Sequence, residues 1–377
     1  MKKLLGVFLA ACLLFSLCAC KKKNPNPTDE PQNTTSNTTQ NTQVDTLTED
    51  TTLIAVSVPP VTENLTHDDG TVLFQYTYQN MSLVLNKPQV ADKIIVDFLN
   101  RVDSTRQAAE STSEMAKTAY TGDKNWSPYL YHITYSPTRI DHKVLSLYGN
   151  NVVFSGAGHP EITCVSASYD LATGDVLTLA SIMQKDATTD MFRDLVLDGL
   201  TEMAEGDYLY DNYKQTVTNR FKADASQDEA WYFTQTGLCF YFAPYEIAPY
   251  SSRVVTVEIP YEKLRNLIHI DYLPDERPTA TGKHTVSPFE SVNLDSFAHI
   301  AEIVANKDGK MYMVQSDGIM QDVRIVLSDT ASSYTVFAAY NLSPGNGIMV
   351  QAEEAMLKNM KLAYKTGKET ISTSLIG

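Results

Sequence analysis

The middle of the chain alternates hydrophobic and polar residues over several short segments. The clearest case is residues 164–171, in which the hydrophobic residues occupy every second position: Val165, Ala167, Tyr169 and Leu171. Successive side chains of a β-strand point to opposite faces, so this period predicts strands with one buried face. The turn Ala172-Thr173-Gly174-Asp175 follows, and we expect residues 176–179 to run back as the second strand of a hairpin. Such a pattern requires a fold built around antiparallel sheet.

Helical spacing appears in fewer places. Pro88 suits the first turn of a helix whose apolar residues recur every three or four positions up to Val102. This pattern fades through an Ala/Ser/Glu-rich continuation that stops at Gly122. Residues 190–203 and 210–221 show the spacing again. Together with the strands, these segments predict an α+β fold, an antiparallel sheet with packed helices.

The order of the patterns divides the folded part into units. Residues 51–124 are predicted to form a β-hairpin plus a helix, and residues 125–273 an α+β domain. Residues 274–287 combine proline and threonine without an aliphatic cluster, which is typical of a linker. Residues 288–377 hold short strand patterns separated by turns. We expect this last segment to be a small all-β C-terminal domain, a sandwich or a barrel.

The first residues have the features of an export signal. Lys2 and Lys3 precede an apolar run of about 14 residues, shorter than the roughly 20 that a membrane-spanning helix needs. The run ends in Leu17-Cys18-Ala19-Cys20, which resembles a bacterial lipobox. We expect residues 1–19 to be removed as a lipoprotein signal peptide and Cys20 to be lipidated; an ordinary secretory peptide is the alternative. The mature protein would then be lipid-anchored on the extracytoplasmic face of the cell membrane.

Residues 20–50 are dominated by Asn, Thr, Gln, Pro and Lys, with Leu47 as the one large aliphatic side chain. Such a segment buries too little apolar surface to fold. It predicts a disordered linker between the anchor and the folded part.

The chain is acidic, with 45 Asp and Glu against 30 Lys and Arg and a formal net charge of -15. Removal of Lys2 and Lys3 with the signal peptide changes this charge to -17. Binding to phosphates needs clustered Lys and Arg, so no nucleic-acid partner is expected. A cationic partner is favoured instead.

No motif of a known chemistry is present in the sequence. There is no His-Glu-x-x-His, Gly-x-Ser-x-Gly, Walker or Rossmann pattern, so we expect no metal, no cofactor and no catalytic residue. A triad assembled from distant Ser, His and Asp residues stays open. Cys164 and Cys239, each within a strand pattern, are either two buried free thiols or one disulfide.

Two segments contain residue types that suit a binding surface. Residues 154–160, Phe-Ser-Gly-Ala-Gly-His-Pro, place two glycines before His159 and so permit a close chain approach. Residues 240–250 form a stiff corner that contains Tyr245, Pro249 and Tyr250. These residues either recognise a partner or serve only the fold. In the second case His159 is a hydrogen-bonding residue of a turn, the tyrosines lie at the edge of the core, and Glu246 accepts a structural hydrogen bond.

These segments resemble a known family. With the 169–179 hairpin and Ile259-Pro260-Tyr261-Glu262-Lys263-Leu264, they are similar, in the same order, to the extracytoplasmic domain of RsiV-type anti-sigma factors. The resemblance covers about residues 129–268. Residues 51–124 are more weakly similar to the domain that precedes it in RsiV and in a class of peptidoglycan deacetylases. Gly-Ala-Gly-His replaces the family's Gly-Gly-Ala-His, and Arg253 stands where a glycine often follows the corner.

The resemblance implies binding. The RsiV-type domain captures lysozyme outside the cell, with loops bearing proline and tyrosine that enter the enzyme's cleft. It implies that Tyr245, Pro249 and Tyr250 are partner-binding anchors and that His159 organises their loop. The sequence shows neither the sigma-binding segment and membrane helix of RsiV nor a deacetylase domain, so neither of those activities is expected.

Taken together, the sequence predicts a surface-anchored binding lipoprotein of the envelope of a bacterium, which we expect to be Gram-positive. Its partner is predicted to be a lysozyme-like muramidase or a cell-wall glycan such as peptidoglycan, bound without turnover. An unrecognised envelope hydrolase or transferase is one alternative. A structural spacer whose C-terminal domain docks a neighbouring protein is the other.

Overall fold

The computed structural model describes residues 52–377, except for residues 157, 204–207, 223–229, 276, 278 and 329–332. The chain from Asp50 to Gly377 forms one compact unit. Cys20, with the predicted signal peptide and the whole predicted linker to residue 50, lies outside the described residues. Among the helices that are described, none has both the length and the apolar character needed to cross a bilayer.

The helices of the described chain are α1 Pro88–Asp103, α2 Arg106–Ala119, α3 Leu179–Ile182, α4 Thr189–Met203, α5 Tyr213–Lys222, α6 Tyr261–Leu264 and α7 Glu354–Lys358. The strands are β1 Ala55–Ser57, β2 Pro60–Thr66, β3 Val72–Gln79, β4 Ser82–Val84, β5 Tyr129–Ile140, β6 Val144–Phe154, β7 Glu161–Asp170, β8 Trp231–Phe233, β9 Gly237–Phe242, β10 Val255–Pro260, β11 His284–Pro288, β12 His299–Val304, β13 Lys310–Ser316, β14 Met320–Ser328, β15 Ser333–Leu342, β16 Asn346–Ala352, β17 Met360–Thr366 and β18 Glu369–Ser374. The predicted α+β class is confirmed.

Two sheets form the central part of the molecule. The larger one has the strand order β2-β3-β5-β6-β7 and is antiparallel except for the pair β3 and β5. The smaller one, β10-β9-β8, is antiparallel throughout. Helices α3 to α6 pack against this smaller sheet through a shared apolar core that includes Phe192, Val196, Trp231, Phe242 and Leu264.

Polar contacts tie these two sheets together. Ser146 on β6 accepts a hydrogen bond from the backbone N–H of Phe233 on β8, at 2.9 Å. The buried guanidinium of Arg139 pairs with Asp141 at 2.6 Å and donates to the hydroxyl of Tyr261 on α6 at 2.7 Å. These contacts fix the three-stranded sheet relative to β6 and β7, and therefore fix the loops that leave its strands.

The C-terminal strands form two further sheets. One has the order β18-β17-β14-β15-β1-β4 and the other the order β11-β13-β16-β12. Their facing sides share a core that includes Leu53, Ile303, Val323, Phe337 and Ile348. Strands β1 and β4 belong to this six-stranded sheet although they come from the first part of the chain. Ala55 pairs with Ala339 on one side and with Val84 on the other.

The helix predicted from Pro88 is divided in two. It starts at Pro88 as expected, but α1 ends at Asp103 and α2 begins at Arg106. At the break, the hydroxyl of Ser104 donates to the carbonyl of Arg101 at 2.6 Å and that of Thr105 to the carbonyl of Val102 at 2.7 Å. These side-chain bonds compete with the backbone ladder, which is why serine and threonine interrupt helices.

The predicted return strand at 176–179 forms only in part: the chain does run back along β7, and the Leu177 N–H donates to the Ser168 carbonyl at 2.7 Å. Val176 makes a single β-bridge to Tyr169, and helix α3 starts at Leu179. The side chain of Thr178 caps this helix by accepting a hydrogen bond from the Ser181 N–H at 3.1 Å. In turn, the Ser181 hydroxyl accepts from the Thr178 N–H at 2.9 Å. Such a capping box favours a helix start, so the returning segment pairs with β7 only around Val176, whereas β6 pairs with β7 along its length.

Candidate functional site

The glycine turn, residues 155–160, joins β6 to β7 and has a backbone that its glycines make possible. Gly156 has φ 90° and Gly158 has φ 71°, conformations that residues with a Cβ rarely adopt. A Cβ on Gly156 would lie 2.4 Å from the ring of Tyr129. The turn therefore lies in close contact with Tyr129 at Gly156. This contact fixes the turn, and with it the position of the His159 side chain three residues later.

The corner, residues 243–253, joins β9 to β10 and contains two tight turns. In the first, the N–H of Tyr245 donates to the carbonyl of Ala248 at 2.9 Å. In the second, a 3-10 turn over Tyr250–Ser252 ends where the N–H of Arg253 donates to the Tyr250 carbonyl at 2.9 Å. Pro249 immediately precedes this turn with φ −67°, a value that proline fixes.

Two residues of the corner have backbone conformations that are unfavourable for their type. Tyr245 has φ 70°, and Arg253 has φ 58° with ψ −140°, close to a region that glycine occupies almost alone. Each such residue costs about 1–3 kcal/mol and persists only where the surroundings determine it. Strain of this kind is concentrated at functional sites in proteins.

An ion pair holds the corner from behind. Glu246 accepts from the backbone N–H of Ala243 at 3.0 Å with one carboxylate oxygen, and the other lies 2.8 Å from Arg220 Nη1. The same Arg220 nitrogen donates to the carbonyl of Tyr241 at 2.8 Å. Helix α5, which carries Arg220, thus braces the corner against the end of β9. Glu246 acts as the hydrogen-bond acceptor that the sequence suggested.

The glycine turn and the corner meet in an aromatic cluster of His159, Tyr245 and Tyr250. The ring of His159 stacks on that of Tyr250 with centroids 3.8 Å apart, and its Nε2 lies 2.9 Å from the Tyr245 hydroxyl. Its Nδ1 lies 3.2 Å from the Pro160 carbonyl oxygen, which only accepts. In the neutral ring, Nδ1 therefore carries the proton and Nε2 accepts from Tyr245.

The members of the aromatic cluster differ in exposure. Tyr245 is 56% exposed and His159 is exposed as well, whereas Tyr250 and Pro249 are half-buried. The Tyr250 hydroxyl donates to the Pro160 carbonyl at 3.0 Å, and Arg253 lies over its ring at 5.4 Å. Tyr250 is consequently the centre that holds the cluster together, and Tyr245 is a side chain that projects into solvent.

The sequence identified His159, Tyr245, Pro249 and Tyr250, and the structure brings all four to this one surface. It gave no sign of Arg220, because a helix of ordinary composition supplies that side chain. It noted Arg253 only as a departure from the glycine that is usual in the family. The conflict between an arginine and a φ of 58° appears only in the structure.

The two cysteines belong to an apolar group that does not include the aromatic cluster. Both are free thiols, Cys239 buried and Cys164 half-buried, in an apolar group with Tyr148, Tyr232 and Tyr241. Burial raises the pKa of Cys239 to about 11 and also raises that of Cys164. Since the thiolate is the nucleophile and the metal ligand, neither cysteine has the chemistry of a reactive site at neutral pH.

Two further features of the described chain concern metal binding and cavities. No three His, Cys, Asp or Glu side chains of the described residues come together as a metal-binding group. A cavity of about 80 Å³ is lined by residues that include Arg101, Ser166, Ser168 and Trp231. Trp231 is 2% exposed, and its indole N–H finds no hydrogen-bond partner in the described residues. The polar walls and the volume suit ordered water molecules.

Comparison with known proteins identifies part of the chain. Residues 178–262 match the family model of a protein of unknown function, DUF3298. This segment contains Tyr245, Pro249 and Tyr250 but not His159. No curated protein matches the chain.

Two solved structures of DUF3298 proteins are similar to the chain. One, from Bacteroides fragilis, is 16% identical with a TM-score of 0.41, and the match covers 59% of this chain and 96% of that one. The other, from Pseudomonas aeruginosa PAO1, is 14% identical with a TM-score of 0.42 and covers 59% and 97%. The chain carries a DUF3298 domain at residues 178–262.

Proposed function

We propose that the protein is a surface-anchored binding lipoprotein of the bacterial envelope whose aromatic cluster recognises a lysozyme-like muramidase. The observation that carries the proposal is the meeting of His159, Tyr245 and Tyr250. They come from two loops 86 residues apart, and they form one cluster whose tip, Tyr245, is 56% exposed.

The build of the cluster supports a binding role. Exposed tyrosines are common anchors in protein interfaces, because they supply a large contact area with few rotatable bonds. Here the glycine turn, the Arg220–Glu246 ion pair and two prolines limit the motion of the loops. An anchor that is already ordered loses less entropy on binding, which favours affinity.

Charge supports a cationic partner. The net charge of -17 expected for the mature protein attracts a basic protein such as a typical lysozyme and speeds its association. The same charge repels an acidic glycan at long range, so among the two predicted partners we favour the muramidase over the cell wall itself.

The location in the envelope and the absence of turnover are parts of the same proposal. The lipobox that ends at Cys20 supports a lipid anchor, and the resemblance to the RsiV-type domain supports capture of lysozyme outside the cell. Binding alone requires no catalytic residue, which agrees with the lack of any catalytic motif in the sequence.

The test is a calorimetric titration of the purified protein with lysozyme at physiological salt. We expect saturable binding, with an affinity at least about 30-fold weaker for Tyr245→Ala, the loss of about 2 kcal/mol that defines a strong anchor. Tyr245→Phe keeps the ring and loses the bond to His159, so a change of only about threefold to tenfold is expected.

Ile270→Ala is the matched control, because Ile270 is also a large exposed apolar side chain, 74% exposed, and lies outside the corner. It should bind as the wild type does. Absence of saturable binding by the wild-type protein would rule out the muramidase proposal. Equal losses in Tyr245→Ala and Ile270→Ala would show that the aromatic cluster is not the contact surface.

A further inference from the structure

Arg253 occupies a position in the corner that suits glycine better than arginine. Its φ of 58° and ψ of −140° lie near a region that side chains disfavour, and its N–H closes the 3-10 turn onto Tyr250. Among the described residues three non-glycine residues have positive φ, and two of them, Tyr245 and Arg253, belong to this corner. An arginine that remains in such a conformation is best explained by what its side chain does.

The guanidinium of Arg253 is available to a partner. The residue is exposed, and its one contact of note is with the ring of Tyr250, 5.4 Å away; no carboxylate of the described residues pairs with it. Most arginines of the chain are paired. Six others have a carboxylate within 4.0 Å: Arg101, Arg106, Arg139, Arg193, Arg220 and Arg277. Arg253, Arg265 and Arg324 have no carboxylate partner among the described residues, and of these three Arg253 is the one that lies over a ring of the aromatic cluster.

The aromatic cluster also orients the side chain. Tyr250 is fixed by its hydroxyl bond to Pro160 and by the stacked ring of His159, and Arg253 lies over it. Contact with an aromatic ring limits the rotamers of an arginine while leaving its N–H groups free. Tyr250 is thus a positioning residue for Arg253.

We propose that Arg253 determines the specificity of the site by presenting its guanidinium to the catalytic carboxylates of the bound muramidase. This inference rests on the proposed function. Muramidases, like most glycoside hydrolases, hold a pair of carboxyl groups in the substrate cleft, and a planar guanidinium bonds a carboxylate with two parallel N–H groups. The net charge of the whole surface draws in the cationic enzyme, and Arg253 meets the carboxyl pair in its cleft.

The test compares three substitutions at this position. Arg253→Gly removes the guanidinium and relieves the backbone, so we expect lysozyme to bind at least about tenfold more weakly while the melting temperature rises by a few degrees. Arg253→Gln keeps the backbone conflict without the charge. It should lose binding to the same extent with no rise in melting temperature. Arg253→Lys, which retains a charge but not the fork of N–H groups, should lie between the wild type and Arg253→Gln.

A second arm identifies the group that Arg253 meets. A lysozyme whose two catalytic carboxylates are replaced by amides should bind the wild-type protein about as weakly as Arg253→Gln binds intact lysozyme, and Arg253→Gln should weaken its binding no further. A loss caused by Arg253→Gln that is the same for both lysozymes would overturn the assignment. So would a loss seen with soluble peptidoglycan fragments and not with lysozyme.

The outcomes separate the two proposals. If wild-type protein fails to bind lysozyme, the proposed function is wrong. If wild-type protein binds and both Arg253→Gly and Arg253→Gln bind equally well, the proposed function stands and the role of Arg253 is refuted.

Discussion

At the scale of single residues, Asp322 is the most constrained carboxylate of the C-terminal part. Its side chain is 10% exposed and lies 2.7 Å from Arg277 and 2.8 Å from Lys365. Burial raises the pKa of this carboxyl, but the two cations outweigh burial and hold the pKa below its usual range. A carboxyl with a lowered pKa in the folded state stabilises the fold above its unfolded pKa of about 4, and this stabilisation is lost as the pH falls further.

We therefore predict that Asp322→Asn destabilises the protein by about 3 kcal/mol at pH 7 because it leaves two cations without their partner. Asparagine also accepts the φ of 50° at this position, so the backbone is retained. The difference from wild type should shrink at pH 3.5, below the unfolded pKa, because the Asp322 carboxyl then gains its proton in the unfolded chain before it does so in the folded one. Urea unfolding at both pH values measures this, with the exposed Asp308→Asn as control. A difference that is equal at both pH values would contradict the prediction.

Residue types show some of these features in the sequence and hide others. Prolines, glycines and tyrosines restrict or permit backbone conformations by their own chemistry, so the turn before His159 and the corner at Tyr245 could be recognised. The contacts of Asp322 could not, because Arg277 and Lys365 are 45 and 43 positions away in the sequence. Nor could the strain at Arg253, since φ is imposed by the turn around it and not by the arginine.

At the scale of elements, the glycine turn is the part whose geometry most directly sets the aromatic cluster. Gly156→Ala and Gly158→Ala both place a Cβ at positive φ, but only the first meets another group, the ring of Tyr129 at 2.4 Å. Tyr129 cannot move freely, because its ring stacks on Trp126 at 5.2 Å. We predict that Gly158→Ala costs about 1 kcal/mol and that Gly156→Ala costs roughly 1–3 kcal/mol more.

The same pair of variants tests whether the turn positions His159. In the wild type, the His159 ring protons should show the ring-current shift of a residue stacked 3.8 Å from Tyr250. We expect this NMR shift to be lost in Gly156→Ala, with weaker lysozyme binding, and kept in Gly158→Ala. An unchanged shift in Gly156→Ala would mean that Tyr129 yields and that the turn does not determine the cluster.

Two departures from the predicted elements share one physical cause, whereas strand β11 at His284–Pro288, which begins within the predicted linker, arises from pairing with β13. At 104–105 and at 178–181, side-chain hydroxyls bond the backbone locally and change the element that an apolar period predicts. The spacing of hydrophobic residues indicates which face of an element is buried. It contains no information on these competing side-chain hydrogen bonds. Helix α4, predicted at residues 190–203 and observed at Thr189–Met203, agrees closely with its apolar period.

At the scale of the whole molecule, strand β1 joins the first part of the described chain to the C-terminal sheet. It lies between β15 and β4, and Val56 within it is fully buried opposite Ala338 and Leu83. The apolar group around it also includes Ile94 of α1 and Leu145 of β6. A strand of three residues contains no signal for a partner strand some 280 positions away in the sequence, so this pairing could not be predicted. The domain boundaries at 124, 273 and 287 stay a prediction.

From this pairing we predict that the chain from Asp50 to Gly377 unfolds in one cooperative transition. Val56→Ala should cost about 2 kcal/mol and lower the melting temperature measured by calorimetry by a few degrees. In a Trp126→Phe background, the remaining indole, Trp231, reports on the core around α4, a different apolar group from that of Val56. Its fluorescence midpoint should fall by the same amount, because coincident probes indicate a two-state transition.

Val96→Ala, at an exposed position of α1, should leave both midpoints unchanged. Two calorimetric peaks, with the Trp231 midpoint unmoved by Val56→Ala, would instead show that the DUF3298 domain holding Tyr245 and Arg253 folds independently of the sheet that joins the chain's two ends.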